Sequence, residues 1–312
     1  MTNGVDVIFD YCRRFGAEIE VNALDGESHP RVEGAQPEGI QLIANIVSQT
    51  LNTRCEVHNW LQGQKATEYN DVWIIKPDGS CGMEICSPVS KGLHGIGRVG
   101  AVVGGMKESG IAKADARCSL HVHTEIVDLS TDQLASVLAQ WVKCEYTMLL
   151  AMPDRRKKNR YCQAIGMSDL LRADHLLTPA SLINRLGAYK YYTANTFHFS
   201  RNKRPTMEFR IADEEACLDP FYIKNWIKLI IHFVEMTSRM PYPGEYDAND
   251  PHSGYLWLIP EDVLKILKFD TPENLCPELL ETRNWFMDRL VKNAYGQLGG
   301  IWDHKVIDRV WR

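Results

Sequence analysis

Residues 14–23 have the sequence RFGAEIEVNA, in which Glu18 and Glu20 alternate with apolar side chains. Alternation with a period of two is typical of a β-strand, and residues i and i+2 of a strand point to the same face. Two carboxylates on one strand face repel each other and destabilise the sheet unless a cation lies between or above them. The segment therefore predicts a strand whose polar face lies in solvent or holds a cation.

Two further segments repeat this spacing with other chemistry-bearing side chains. LHVHTE contains His121 and His123, and TMEFRIAD contains Glu208 and Arg210, each pair separated by one apolar residue. Each pair also has an ordinary explanation, because histidines are often structural and an ion pair along a strand contributes little to stability. Glu84 in GMEICSP alternates with apolar neighbours in the same way. No one of these features is specific alone.

The set as a whole favours a metal and phosphate site. Four carboxylates and one imidazole would come from several strands of one sheet. The residues that supply them are Glu18, Glu20, Glu84, His121 and Glu208. Mg²⁺ and Mn²⁺ prefer oxygen ligands, and Mn²⁺ tolerates imidazole better. Arg210, beside a metal-bound Glu208, would neutralise charge on a transferring phosphoryl group.

The pattern of elements predicts an α+β fold around a largely antiparallel, curved sheet flanked by helices. Strand-like runs cover residues 14–23, 55–60, 72–76, 83–86, 117–126, 191–199 and 206–211. Helical runs cover residues 37–51, 93–108, 131–150, 220–236, 261–268 and 277–294, with Ser130 and Asp219 as expected N-caps. The Pro-, Gly- and Asp-rich residues 241–253 are the expected boundary between a catalytic domain, 1–240, and a helical C-terminal extension packed on it, 241–312.

Composition narrows the class of protein. The chain has 312 residues and a net charge of −5, which argues against nucleic acid or an anionic membrane as the main partner. Its nine cysteines form no CxxC pair, as expected of reduced thiols. The first residues lack a secretory signal pattern, and no apolar run is long enough to span a bilayer. We therefore expect a cytoplasmic protein.

The ordered motifs resemble the amidoligase branch of the glutamine synthetase-like carboxylate–amine ligases. The resemblance covers residues 14–240 and consists of FGAEIE at 15–20, MEICSP at 83–88, LHVHTE at 120–125, RRKKNRYC at 155–162 and TMEFRIAD at 206–213. It implies a glutamine synthetase-like catalytic domain that joins a carboxylate to an amine with ATP and Mg²⁺ or Mn²⁺. A small molecule, a peptide or a protein side chain would supply these groups, and a modified base remains open.

The resemblance also implies a role for each matched residue. Glu18, His121 and Glu208 would hold the metal at the nucleotide phosphates, and Glu20 and Glu84 the metal nearer the carboxylate substrate. Arg210 would contact the γ-phosphate during transfer. Glu208 and Glu20 would also act as catalytic residues. Four further residues would contact the nucleotide or the substrate. They are His123, Arg156, Asn159 and Arg204, the last of which lies in the turn before Glu208. A second downstream carboxylate after Glu84 has no clear match, so the number of ions stays open.

Three other functions remain as alternatives. A zinc-dependent hydrolase would use His121, His123 and nearby carboxylates. A nicotinamide-dependent dehydrogenase is suggested by Gly95-Ile-Gly-Arg-Val-Gly100, although residues 87–94 separate this motif from the preceding strand. A non-catalytic scaffold with a decayed ligase site is the third. The arginine motifs favour the ligase over the zinc hydrolase, which leaves the Glu208 and Arg210 pair and the Arg156 and Asn159 motif without a role.

Overall fold

The computed structural model describes residues 12–23, 38–58, 71–165, 178–201, 204–243 and 258–295. These residues divide into two compact units. The first unit contains residues 12–124 and 212–228, and the second unit contains residues 125–211 and 229–295. The chain therefore leaves the first unit after residue 124 and returns to it for one short segment.

Strands and helices are intermixed along the described residues. The strands are β1 (Phe15–Ala23), β2 (Arg54–Val57), β3 (Val72–Pro77), β4 (Met83–Cys86), β5 (Ala112–Lys113), β6 (Leu120–Glu125), β7 (Ala194–Asn195) and β8 (Thr206–Ala212). The helices are α1 (Glu38–Leu51), α2 (Gly92–Ser109), α3 (Thr131–Leu150), α4 (Asp154–Lys157), α5 (Pro179–Gly187), α6 (Phe197–Ser200), α7 (Glu215–Leu218), α8 (Pro220–Thr237), α9 (Pro260–Ile266) and α10 (Pro277–Tyr295). A 3₁₀ turn covers Pro272–Asn274.

The sheet of the first unit is built around β1. Strand β1 pairs antiparallel with β4 on one side and with β6 on the other, and the short β5 also pairs with its end. Strand β3 pairs antiparallel with β4 and parallel with β2. The expectation of a largely antiparallel sheet flanked by helices is confirmed.

One face of this sheet is apolar and covered by helices. Ile19 of β1 lies opposite Ile85 of β4 and Leu120 of β6, and all three side chains are buried. Helix α1 packs on β1, β3 and α2. Because side chains alternate along a strand, the intervening polar residues of β1, β4 and β6 share the other face. That face carries most of the predicted site residues of the first unit.

Helix α3 is the centre of the second unit. Ser130 caps it as expected, since its side chain accepts from the Gln133 N–H while the Gln133 side chain bonds back to the Ser130 N–H. Helices α5, α9 and α10 pack on α3. Strand β8 pairs antiparallel with β7, so that Asn195 lies opposite Glu208.

The C-terminal helical segments were predicted correctly. The Leu258 N–H donates to the Lys143 carbonyl at 2.9 Å, and Asn293 Nδ2 donates to the Ala151 carbonyl at 2.7 Å. Both contacts attach this segment to α3. The proposed boundary at residues 241–253 falls largely outside the described residues, so the division into 1–240 and 241–312 stays a prediction.

Two expectations need correction or completion. The strand predicted over residues 191–199 is wrong in its second half, because β7 ends at Asn195 and residues 197–200 are helical. Asn195 Oδ1 accepts the Phe197 N–H at 3.0 Å, and such a side-chain bond competes with continued strand pairing. Residues 59–60 of the strand predicted over 55–60 lie outside the described residues.

The helix predicted over residues 93–108 is confirmed and contains the GxGxxG motif within its turns. A dinucleotide-binding motif instead lies in the turn between a strand and a helix, so this observation argues against the dehydrogenase. Among the described residues, the helices lack the combination of length and apolar character that crossing a bilayer requires.

Candidate functional site

The strand register of the first unit brings its predicted polar residues onto one sheet face. Glu18 of β1 lies opposite Cys86 of β4 and His121 of β6, and Glu20 lies opposite Glu84. Residues paired across strands point to the same face. The i and i+2 spacing along single strands therefore becomes one continuous polar surface.

These side chains are not ordinary surface groups. Glu20, Glu84, His121 and His123 are each at most 6% exposed. An exposed sheet face was the simplest alternative for this pattern, and the burial excludes it. Burying a carboxylate is costly unless the carboxylate is hydrogen-bonded or paired with a cation, so compensating partners are expected.

Glu18 lies between the two imidazoles. Its Oε2 is 3.2 Å from His123 Nε2 and 3.6 Å from His121 Nδ1. Burial raises the pKa of Glu18, but His123, His121 and the charge of Lys76 outweigh this effect and hold that pKa well below its usual range. Glu18 is therefore an ionised carboxylate near neutral pH, as a metal ligand must be.

Glu20 is held by hydroxyl groups. Ser119 Oγ donates to Glu20 Oε2 at 2.6 Å and lies 2.9 Å from His121 Nε2. His121 Nε2 is 3.7 Å from the other Glu20 oxygen. The imidazole of His121 thus lies between the two carboxylates of β1, and Ser119 fixes both side chains.

Glu84 has a different partner. Its Oε1 accepts Lys76 Nζ at 2.8 Å and Cys86 Sγ at 3.1 Å. Burial and the neighbouring Glu18 charge raise the pKa of Glu84 to about 7, although Lys76 opposes the shift. Burial lowers the pKa of Lys76, but Glu84, Cys86 and Glu18 raise it above its usual value. Lys76 is therefore a fixed positive charge within this face.

Two groups of ligand atoms in the first unit are compact enough for a cation. The potential ligand atoms of Glu18, Glu84 and Cys86 lie within 4.8 Å of one another, as do those of Glu20, Asp78 and Cys81. Carboxylate oxygens dominate both groups, which fits Mg²⁺ or Mn²⁺. Burial and the Glu18 charge, which raise the pKa of Glu84, both disfavour its ionised form, and a bound cation would favour that form.

Sequence reasoning missed Lys76, Asp78, Cys86 and Ser119. Asp78 lies in the Pro-Asp-Gly-Ser turn, where its Oδ1 accepts the N–H groups of Ser80 and Cys81 at 2.7 and 3.1 Å. Ser80 Oγ also lies 3.5 Å from Glu20 Oε1. The turn was visible in the sequence, but its proximity to Glu20 depends on the strand register.

The remaining predicted site residues belong to the second unit. Arg210 Nη1 donates to Glu208 Oε1, and Asn195 Nδ2 donates to Glu208 Oε2 at 3.2 Å. Arg210 Nε donates to the Tyr161 carbonyl at 3.2 Å, and the Arg210 guanidinium lies 5.9 Å from the Tyr191 ring centroid. The predicted pair is therefore a nearly buried ion pair with both groups fixed by neighbours.

Arg156 and Asn159 make contacts that fix the backbone. Arg156 is buried and donates to the carbonyls of Arg210 and, at 3.3 Å, of Ile211. Asn159 Oδ1 accepts the Tyr161 N–H at 2.8 Å. The Arg156 contacts position β8. The Asn159 contact positions the turn at Tyr161, whose carbonyl accepts from Arg210. The predicted contacts of both residues with nucleotide or substrate stay predictions, as does that of the half-buried Arg204.

Comparison with known protein families gives a match over most of the chain. A family model described as "Putative amidoligase enzyme" matches residues 12–234, which is more than half of the chain. No curated protein matches the chain in sequence.

A structural comparison gives a more distant match. The chain is similar to the crystal structure of a bifunctional glutathione synthetase from Pasteurella multocida, with 12% sequence identity and a TM-score of 0.45. The match covers 92% of this chain and 48% of that protein, so the chain spans about half of its length. A similarity at this level carries no conclusion about function.

Proposed function

The chain belongs to the amidoligase family, and on that premise we propose that it joins a carboxylate to an amine at the expense of ATP. Family membership supports a carboxylate–amine ligase in general. The use of ATP, the divalent cations and the acyl-phosphate route are the proposal. So are the glutamine synthetase-like fold of residues 1–240, which the largely antiparallel pairing around β1 supports, and the helical extension over residues 241–312.

One observation supports the proposal most directly. The carboxylates of Glu18, Glu20 and Glu84 and the imidazoles of His121 and His123 share one face of a sheet, and most of these side chains are buried. Such a set is costly for the fold unless hydrogen bonds or cations compensate the buried charges, and bound cations would do so. A cation held there would attract the phosphates of a nucleotide.

We assign the residues by combining these contacts with the family resemblance. Glu18, His121 and Glu208 would hold the cation that binds the nucleotide phosphates, and Glu20 a cation nearer the carboxylate substrate. Glu84 has the same predicted role as Glu20, but its Oε1 already accepts the Lys76 ammonium. His123 and Arg204 would contact the nucleotide. Arg156 and Asn159 would contact the phosphates or the substrate, and their contacts within the chain also position the Arg210 segment.

The cations would supply charge neutralisation at the phosphates. A carboxylate is a poor electrophile, so its oxygen first attacks the γ-phosphorus of ATP, and ADP departs. Arg210 would stabilise the charge on the transferring phosphoryl group. The neutral amine nitrogen then attacks the acyl carbon, an amide bond forms, phosphate departs with the former carboxylate oxygen, and the proton lost from nitrogen passes to phosphate or solvent. Exclusion of water would protect the acyl phosphate from hydrolysis.

A pairwise screen of amino acids and polyamines for ADP release, with mass spectrometry of the products, would identify substrates. With a substrate pair in hand, Glu18→Gln and Glu208→Gln should abolish ADP release, because each removes a ligand charge without changing side-chain shape. Glu108→Gln, which changes an exposed carboxylate of α2, is the matched control and should retain activity. Turnover retained in both site variants, with circular dichroism unchanged, would refute the metal assignment.

Arg210 gives a second test of the same proposal. Arg210→Ala should still bind nucleotide but lose most of the chemical step, since its charge is needed chiefly in the transition state. Single-turnover kinetics separate the two effects, and Arg201→Ala, a change at an exposed arginine, is the control. Loss of nucleotide binding with an unchanged chemical rate would assign Arg210 a different role.

The zinc-dependent hydrolase remains the second candidate. It is favoured by the approach of both imidazoles to Glu18 and by the Cys86 sulfur near the same carboxylate, since zinc accepts nitrogen and sulfur ligands. Elemental analysis of the purified protein separates the two functions. Stoichiometric zinc that resists dialysis would support the hydrolase over the ligase.

A further inference from the structure

Lys76 lies where the family resemblance predicts a metal ion. Lys76 of β3 and Glu84 of β4 are opposite each other across the antiparallel pair, so both side chains belong to the polar face of the sheet. The Lys76 ammonium is 2.8 Å from Glu84 Oε1. The family resemblance implies no role for this lysine, because none of the matched motifs contains it.

The Lys76 ammonium and a divalent ion are competitors for Glu84. Glu84 Oε1 already accepts both Lys76 and Cys86 Sγ, while the Glu18 carboxylate lies close enough to form a ligand group with Glu84 and Cys86. A divalent ion at this position would lie next to a positive charge. Like charges at such distances repel strongly in a buried environment, where screening by water is weak.

We propose that Lys76 replaces one divalent cation of the site. Its ammonium, fixed on Glu84, supplies the positive charge that a divalent ion bound by Glu84 would supply, while Glu20 keeps the role proposed above. An ammonium carries three donors, and about a fifth of the Lys76 side chain is exposed. The donors not used by Glu84 would bind an oxygen of the substrate carboxylate. This inference rests on the proposed function. It assigns the Lys76 ammonium as a cation that faces the carboxylate substrate.

The ordinary alternative is a cross-strand ion pair without a role at the site. Such a pair would also be compatible with Glu84 as a metal ligand, since a metal could displace the lysine. Metal stoichiometry distinguishes these cases, because only a lysine that excludes an ion allows the chain to gain one when the lysine is removed.

The test is a titration of the metal-stripped full-length chain with Mn²⁺, in which electron paramagnetic resonance measures the free ion. Glu84→Gln keeps an oxygen acceptor for Lys76, so it should bind as many Mn²⁺ ions as the wild type. Lys76→Met removes the competing charge and should gain one Mn²⁺ per chain. The double variant Lys76→Met/Glu84→Gln should lose this gain, and Lys113→Met, which changes an exposed lysine on β5, should match the wild type.

The outcomes separate this inference from the proposed function. Loss of an ion in Glu84→Gln, or no gain in a folded Lys76→Met variant, overturns the role of Lys76 and leaves the ligase intact. If the wild type binds no Mn²⁺ but Lys76→Met binds one, the lysine holds the position and the proposed metal role fails. Absence of binding in all variants overturns both. Should Lys76→Met fail to fold, Lys76→Gln, which also removes the charge but keeps a polar side chain beside Glu84, takes its place, and no gain of an ion in a folded Lys76→Gln variant overturns the role of Lys76.

Discussion

His232 is a buried residue whose protonation is linked to folding. His232 Nε2 lies 2.7 Å from the Leu267 carbonyl, and the imidazole stacks on Phe269 with ring centroids 5.3 Å apart. Burial lowers the pKa of His232 to about 4, although the hydrogen bond to Leu267 opposes the shift. The imidazole is therefore neutral in the folded chain and donates to the carbonyl.

This residue predicts a loss of stability in mild acid. The unfolded chain protonates His232 near its ordinary pKa of 6.5 and the folded chain only near 4, so the unfolded state binds more protons between these values. The contribution is complete above pH 6.5 and falls by about 3 kcal/mol as the pH drops to about 4. Urea unfolding of wild type and His232→Gln at both pH values measures the difference. Equal acid sensitivity in the two proteins would contradict it.

The predictable residues of the site are those related along a single strand. The spacing of Glu18 and Glu20, and of His121 and His123, was sufficient to place each pair on one face. Lys76 could not be found in this way, since its contact with Glu84 depends on how β3 and β4 align. An i and i+2 pattern carries no information about the neighbouring strand.

At the scale of single elements, the packing of α2 explains why two of its positions are glycine. A Cβ at Gly95 would lie 2.9 Å from Ser90 Cβ, and a Cβ at Gly100 would lie 2.8 Å from the Lys224 side chain. A Cβ at Gly97 would meet no atom within 4 Å. Gly95 and Gly100 therefore allow close packing of the helix, whereas Gly97 is not required for packing.

The glycines give a matched pair of variants. Gly97→Ala should raise the free energy of unfolding by up to about 1 kcal/mol, because alanine favours the helix over glycine. Gly95→Ala should lower it, since Ser90 must move to accept the methyl group. Thermal unfolding of both variants tests this. A dinucleotide-binding loop would instead require both glycines, so a destabilised Gly97→Ala would contradict the packing explanation.

Elements were predictable where local signals agreed with pairing. Helix α3 and its Ser130 cap, and helix α8 with the Asp219 side chain that accepts the Phe221 and Tyr222 N–H groups, follow from the sequence. The aromatic residues at 191–199 favour a strand, yet the Asn195 side chain ends it. Residue propensity alone does not predict whether such a side-chain hydrogen bond or continued strand pairing is the more stable.

At the scale of the whole molecule, the mixed fold and largely antiparallel sheet followed from closely spaced strands. The division into units did not, because the first unit includes residues 212–228 from a distant part of the chain. Composition marks exposed linkers, whereas the crossings near residues 124, 211 and 228 lie within β6, β8 and α8. Units that exchange segments in this way leave no compositional boundary.

The claim that buried carboxylates and imidazoles hold cations for a triphosphate is tested most directly by calorimetric titration with a non-hydrolysable ATP analogue. The wild type should bind the analogue with Mn²⁺ or Mg²⁺ present and not after chelation, and Glu18→Gln should not bind it in either condition. Glu108→Gln should behave as the wild type. Binding of equal affinity without a divalent cation, or undiminished in Glu18→Gln, would contradict the account.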